Sequence, residues 1–192
     1  MRSGQIVVLA SALTSCGRVH FAQLDDASVP IDALACETPS EVQHTSEGTA
    51  HSDGGVPTVW QSNPPTSGIH FDRWVRWNHT YLDRVIPRAY WVHNLEHGGI
   101  VFGVHCETPC PDELTRITAM LAALPNDAEC TALGHRAIVV LDPELPAGVR
   151  FSASAWLHSW TSNCLDEASL TAFYKAHFAQ GPETNCTDGD VP

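Results

Sequence analysis

Continuous apolar runs along the chain predict strands that are buried on both faces. Residues 99–105 read Gly-Ile-Val-Phe-Gly-Val-His, a run with β-branched side chains that is typical of a central strand. Residues 137–141 and 149–157 carry two further runs, and residues 56–60 form a short candidate strand. The next residues, 63–68, contain two prolines and a glycine, which predicts an ordered loop.

Two segments show the helical spacing of apolar residues, at residues 112–124 and 166–178. The apolar positions are Leu114, Ile117, Leu121 and Leu124 in the first segment, and Leu170, Phe173, Tyr174 and Phe178 in the second. The order strand, helix, strand, strand, helix predicts an α+β domain. We expect one mainly antiparallel sheet with two helices packed on a face.

Residues 16–55 have no sustained apolar period and are rich in Ser, Thr, Asp, Glu, Gly and Pro. This composition predicts a flexible, disordered tether. We expect two of its histidines, His44 and His51, to be solvated and not to bind an ion. The total of 192 residues is enough for one sizeable domain, and a single globular domain is expected over residues 56–192.

The first fifteen residues predict a signal peptide. Arg2 precedes an apolar run that begins at Ile6 and is shorter than the ~20 apolar residues that span a bilayer. The run ends in Leu-Thr-Ser-Cys at Cys16, which resembles the bacterial lipobox, where cleavage leaves an acylated cysteine. The resemblance implies an exported, membrane-anchored lipoprotein that faces the periplasm or the cell surface. The alternative is an apolar N-terminal strand or helix in a cytosolic protein.

The charge balance argues against polyanionic partners. The chain has 10 Lys and Arg against 22 Asp and Glu, a formal charge of −12, and Lys175 is its single lysine. A surface that tracks phosphates needs clustered basic residues, so we expect no nucleic acid and no anionic lipid surface as a partner. Membrane contact is expected through the lipid anchor only, and an envelope protein partner stays open.

The cysteine count supports export. Apart from Cys16, the chain has six cysteines, and an even number in an exported chain predicts up to three disulfides. Sequence alone leaves the pairing open, but the last helix lies between Cys164 and Cys186, which makes these two the expected pair. The other four are Cys36, Cys106, Cys110 and Cys130.

A total of 11 histidines points to imidazole chemistry. Residues 90–99 read Tyr-Trp-Val-His-Asn-Leu-Glu-His-Gly-Gly, so His93 and His97 lie four residues apart with Glu96 beside them. One helical turn would put both rings on one face. Inverted zinc peptidases use the same H-x-x-E-H spacing, with the glutamate as general base, but their helix continues where the two glycines end this one.

Two longer motifs are more specific. Residues 64–70 read Pro-Pro-Thr-Ser-Gly-Ile-His, and residues 93–99 read His-Asn-Leu-Glu-His-Gly-Gly. Together they resemble the domain-of-unknown-function 3105 family of bacterial and archaeal proteins, whose signatures look like PPTSGPH and HNLEHGG. The resemblance covers residues 56–183, with Ile69 in place of the usual proline. It implies a domain and candidate positions, but no reaction.

His70, His93 and His97 are the candidate metal ligands, because His70 ends the ordered loop and the other two share one turn. Three neutral imidazoles that meet at one point would bind a copper or zinc ion and leave one position open. Alternatively, the three rings form a structural hydrogen-bonding network. Glu96 has three open roles: ligand, general base, or acceptor of an N–H from a ligating imidazole, the role we favour.

These residues leave three functions open. The first is an exported lipoprotein that binds copper or zinc for sensing, carriage or storage, and the sequence favours it. The second is a metal-dependent hydrolase in which Glu96 is the general base. The third is a disulfide-stabilised binding module of the cell envelope that holds no metal.

Overall fold

The computed structural model describes residues 36–53, 59–106 and 109–191. The elements in chain order are β1 (Ser40–Gln43), β2 (His51–Ser52), β3 (His70–Phe71), β4 (His79–Val85), α1 (Arg88–Glu96), β5 (Ile100–Val104), α2 (Pro111–Ala122), β6 (Ala137–Leu141), β7 (Phe151–Ala155), β8 (His158–Ser162) and α3 (Glu167–His177). Six strands form one sheet in the order β1-β8-β7-β5-β6-β4, and β2 pairs with β3 separately.

The sheet is mixed but mainly antiparallel. β1, β8, β7 and β5 form consecutive antiparallel pairs. β6 runs parallel to β5 and to β4, its two neighbours in the sheet. α2 lies between β5 and β6 in the chain, as the crossover between two parallel strands requires. The predicted α+β class is confirmed.

The central strands are buried on both faces, and successive residues serve two different cores. On β5, Phe102 and Val104 pack with the apolar sides of α2 and α3, whereas Val101 packs with α1 on the opposite face. The predicted pair of helices therefore covers one face. α1, which the apolar pattern did not predict as a separate helix, covers the other.

Local sequence determines where α2 and α3 begin. α2 starts at Pro111, and two acidic residues follow in its first turn. Proline has no backbone N–H, but the first N–H groups of a helix have no acceptor within the helix, so no hydrogen bond is lost. α3 is capped by Asp166, whose side chain accepts a hydrogen bond from the Ser169 N–H at 3.0 Å. Both helices lie within one or two residues of their predicted bounds.

The N-terminal boundary of the domain differs from the prediction. Residues 36–53 were expected in a flexible tether, but β1 pairs with β8 along its whole length and β2 pairs with β3. Cys36 is bonded to Cys164. Strand pairing and a disulfide therefore make this polar segment part of the domain. It has too few apolar residues for its strands to be predicted from an apolar pattern. The predicted strand at residues 56–60 lies mostly outside the described residues.

The six cysteines form three bonded pairs, which are Cys36–Cys164, Cys106–Cys110 and Cys130–Cys186. The expected pairing of Cys164 with Cys186 is therefore wrong. Cys164 follows β8 at the edge where β1 brings Cys36, and Cys186 returns to the loop before β6. Pairing follows this tertiary proximity and not the distance along the chain.

No helix among the described residues is long and apolar enough to cross a bilayer. The predicted signal peptide and Cys16 lie outside the described residues, as does the part of the predicted tether that precedes Cys36.

Candidate metal centre

His70 is held by the backbone that precedes it. Its N–H donates to Ala50 O at 3.1 Å, and its ring Nδ1 lies 2.7 Å from Gly68 O. Gly68 has a φ of +106°, in the region that favours glycine. A side chain there would also approach the ring of Trp60. The loop therefore fixes the imidazole of His70, which is fully buried.

α1 supplies two more side chains of the centre. His93 and Glu96 are three residues apart and therefore project from the same face of the helix. Both are buried, as is nearly all of α1. Such complete burial is unusual for a helix with this many polar residues, so each polar side chain requires a partner inside the protein.

Asn94 fixes the rotation of α1 about its axis. Its side-chain oxygen accepts a hydrogen bond from the Val75 N–H at 3.0 Å, and its side-chain nitrogen donates to Val75 O at 2.8 Å. Both groups of the buried amide are thereby satisfied by one residue of a neighbouring segment. Because Asn94 lies between His93 and Glu96, this clamp also holds the two in place.

Glycines allow α1 to end directly after Glu96. Gly98 has a φ of +76°, the left-handed conformation that commonly terminates helices. A side chain at Gly99 would collide with the ring of Trp77. The two glycines thus let the chain turn at once into β5 while the aromatic ring packs against the turn.

His51 enters the centre through the short parallel pair of β2 and β3. The register places His51 opposite His70, so the two rings are neighbours, with centroids 4.7 Å apart. The side chain of His51 is 47% exposed, whereas that of His70 is fully buried. This residue of the expected tether is therefore the solvent-facing side of the centre.

Three imidazoles converge around one carboxylate oxygen. Glu96 Oε2 lies 3.0 Å from His70 Nε2, 3.2 Å from His51 Nε2 and 3.8 Å from His93 Nε2. The centroid of the His93 ring is 4.8 Å from those of both other rings. One ligand atom from each of the four residues lies within 4.8 Å of the others. The group could hold a metal ion.

The hydrogen bonds of two rings determine which nitrogen carries the proton. His70 Nδ1 faces Gly68 O, and His93 Nδ1 faces Phe71 O at 2.6 Å. A carbonyl oxygen can only accept, so each Nδ1 is the donor. Nε2 is then the nitrogen that faces Glu96, and when it carries no proton its lone pair points into the group. Ligating histidines in metal sites commonly have this arrangement, with the second nitrogen bonded to a backbone carbonyl.

These contacts bear on the role of Glu96. The expected role, accepting an N–H from a ligating imidazole, is taken for His70 and His93 by backbone carbonyls. Glu96 instead lies among the three Nε2 atoms, within hydrogen-bond distance of those of His51 and His70. Burial lowers the pKa of His93 to about 4, against the smaller opposing effect of its bond to Phe71 O, so this ring is neutral at pH 7.

His97, the third predicted ligand, lies beside the centre and outside the group of four. Its ring packs against Trp74 and His93, with centroids 4.8 and 4.6 Å away. Burial lowers the pKa of His97. Glu183 Oε2 is 3.7 Å from its Nδ1, beyond hydrogen-bond distance. The structure thus brings His70 and His93 together with His51 and Glu96.

A family model matches residues 51–189 and describes a protein of unknown function, DUF3105. The chain belongs to the DUF3105 family. The matched range begins at His51, so all four residues of the centre lie inside the family's domain. The resemblance noted from the sequence covers residues 56–183 and did not include His51. No curated protein and no solved structure matches the chain significantly.

Sequence reasoning missed His51 because the surrounding residues are polar and have no apolar period. Strand β2 is two residues long, and its partner β3 is equally short. A segment of this kind leaves no periodic signal. The available signal was the histidine itself, in a chain unusually rich in histidine.

Proposed function

We propose that this protein is an exported metal-binding domain that holds one divalent transition-metal ion through His51, His70, His93 and Glu96. Three imidazole nitrogens and one carboxylate oxygen suit ions such as copper and zinc. The three buried ligands come from β3 and α1, and the half-exposed His51 is the last to close the site. This geometry favours carriage, storage or sensing of the ion.

One observation carries the proposal. The Nε2 atoms of His70 and His93 point at one oxygen of a buried carboxylate, at 3.0 and 3.8 Å, and both Nδ1–H groups are already donated to carbonyls. Converging acceptors repel one another unless a proton or a cation lies between them. A metal ion would satisfy all of them at once, and a divalent charge would offset the buried carboxylate.

The Glu96→Gln variant separates a metal site from a structural network. Glutamine keeps the size of the side chain and brings an N–H that can donate to the Nε2 lone pairs. We therefore expect the metal-free variant to be at least as stable as the metal-free wild type. Its affinity for Zn(II) should fall by about 100-fold or more. Loss of a residue that only hydrogen-bonds to a ligand lowers metal affinity by about 10- to 100-fold, so a larger loss indicates that Glu96 itself binds the ion.

The measurement is thermal unfolding with and without Zn(II), together with calorimetric titration of the metal-free full chain. Glu183→Gln is the matched control, since it removes a neighbouring carboxylate that lies 3.7 Å from His97 Nδ1 and outside the group of four, and it should leave Zn(II) affinity unchanged. A metal-free Glu96→Gln protein that is destabilised, with Zn(II) binding equal to that of wild type, would identify Glu96 as part of a proton-linked network and end the proposal.

A hydrolase with Glu96 as general base receives less support. A general base has to face a bound water and a substrate, whereas the reactive oxygen of Glu96 faces three imidazole nitrogens. Its buried position supports the role of a ligand.

The export part of the proposal rests on the N-terminal sequence. The lipobox-like segment before Cys16 and the three disulfides support an oxidising, extracytoplasmic location. We expect the full chain, expressed with its N-terminus in a lipoprotein-processing bacterium, to fractionate with membranes, and the Cys16→Ser variant to lose that association. An unchanged membrane fraction in the variant would contradict lipidation.

A further inference from the structure

We infer that the protein has a second cation site, formed by Glu41, His158 and His177 at the β1 edge of the sheet. One ligand atom from each of these residues lies within 4.8 Å of the others. Two imidazoles and one carboxylate are a known ligand set for divalent transition metals, and three protein ligands leave positions open for water. Nothing in the proposed centre uses these residues.

Three different elements supply the ligands. Glu41 lies on β1, His158 on β8 and His177 at the end of α3, on the face of the sheet opposite to α1. The rings of His158 and His177 are stacked, with centroids 4.0 Å apart and an angle of 23° between the planes. His177 Nε2 lies 2.8 Å from Glu41 Oε1. The arrangement is already compact enough for one ion.

The environment of His177 supports a ligand role. Its side chain is only 11% exposed, and the ring packs on Phe173 one helical turn earlier, with centroids 4.6 Å apart. Its Nδ1 is buried without a hydrogen-bonding partner among the described residues. No acceptor among the described residues fixes a proton on Nδ1, so neither tautomer is excluded and the neutral ring keeps one nitrogen lone pair for an ion.

A neighbouring histidine, His44, is not part of the proposed site. His44 is also at this edge, but its Nε2 lies 2.7 Å from the hydroxyl of Ser159 and is engaged there. The protein's strong negative charge favours cations at its surface. Glu41 is half exposed, so the ion would be accessible and would exchange with solvent, unlike one held mainly by buried ligands.

An ion at this position would join the N-terminal strand to the last helix. β1 contacts the sheet on one side only, through β8, and the disulfide Cys36–Cys164 is its covalent link. Binding should therefore slow the opening of β1. The effect is local, which makes it separable from binding at His51, His70, His93 and Glu96.

The test is calorimetric titration of Zn(II) into the metal-free full chain, combined with hydrogen exchange of the β1 amides. We expect two equivalents to bind, and Glu41→Gln and His177→Gln each to weaken one of them by about tenfold or more. In wild type, slowing of exchange in Ser40–Gln43 should follow the occupancy of that equivalent. Glu37→Gln and His79→Gln remove the same chemical groups elsewhere and are the controls.

The outcomes distinguish the two proposals. Loss of one equivalent in Glu41→Gln, with the other lost only in Glu96→Gln, supports both sites. Loss of an equivalent in Glu41→Gln while Glu96→Gln binds like wild type supports the second site alone. If Glu41→Gln and His177→Gln bind as many equivalents as wild type with the same affinities, or if β1 exchange does not respond to Zn(II), the second site is refuted.

Discussion

At the scale of single residues, the carboxylate of Glu96 organises the centre. Three imidazoles lie around its Oε2, and two of them have their Nδ1–H groups fixed by carbonyls. For these two rings, the bond made by Nδ1 leaves Nε2 to face the centre. This feature separates His70 and His93 from His97, neither of whose ring nitrogens has a hydrogen-bonding partner among the described residues.

The ligand set can be tested by comparing two histidine variants. His51→Gln should lower Zn(II) affinity by about 10- to 100-fold, because the half-exposed ring closes the site without supporting the core. His97→Gln should change the affinity by less than about threefold, since that ring lies outside the group of four. Calorimetric titration decides. The reverse order of effects would restore the set of His70, His93 and His97.

The pH dependence of binding should reveal how many rings compete with protons. Ligating imidazoles must be deprotonated, so affinity falls as the pH falls. Burial lowers the pKa of His93 to about 4, so this ring takes up no proton between pH 7 and 5.5. One of the three ligating imidazoles is thereby removed from the competition with protons, so a plot of log affinity against pH over this range should have a slope of at most two. A slope near three would contradict the assignment.

At the scale of elements, a buried ion pair holds the end of α1. Arg136, fully buried, donates from Nε to Asp127 Oδ2 at 2.6 Å and from Nη1 to His97 O. Burial acts to raise the pKa of Asp127, but hydrogen bonds from the Cys130 N–H and from Arg136 outweigh it, and the pKa is lowered. The pair connects the loop before β6 to the helix that carries His93 and Glu96.

Removing one partner of this pair should be costly. We expect Arg136→Ala to lower the free energy of unfolding by about 3–5 kcal/mol, since it leaves Asp127 buried without its partner. Arg116 also forms an ion pair, with two contacts to Glu167, but its side chain is 52% exposed. Arg116→Ala should therefore cost only about 0–1 kcal/mol. Denaturant unfolding measures both, and equal losses would contradict the role given to burial.

At the scale of the whole molecule, the disulfides differ in how much chain they close. Cys36–Cys164 joins residues 128 positions apart, whereas Cys106–Cys110 joins residues 4 positions apart. In the chain-entropy model, a longer loop constrains the unfolded chain more strongly. The first bridge fastens β1 to the domain, and the second lies between β5 and α2.

Paired serine variants test this difference. Replacing Cys36 and Cys164 should lower the free energy of unfolding by roughly 3 kcal/mol more than replacing Cys106 and Cys110, from the ratio of the two loop lengths. Amide exchange in β1 should also rise only in the first variant. Equal losses in both, or unchanged exchange in β1, would show that strand pairing alone holds the N-terminal segment.

The sequence by itself determined the elements whose signals are local. β6 lies at its predicted residues, and β5, α2 and α3 lie within two residues of theirs, because apolar periodicity and helix-capping residues act over a few neighbours. The motifs around His70 and His93 marked the right part of the chain and the right family. An apolar period and a sequence motif can both be recognised without knowing which other elements their residues pack against.

Only the tertiary structure decided the membership of the centre and the pairing of the cysteines. His51 reaches His70 through a parallel pair of two-residue strands, and Cys36 reaches Cys164 because β1 completes the sheet at β8. Glu96 is a ligand candidate because backbone carbonyls already take the Nδ1–H groups of its neighbours. Contacts between residues so far apart in the chain depend on how the elements pack, and no local pattern records that packing.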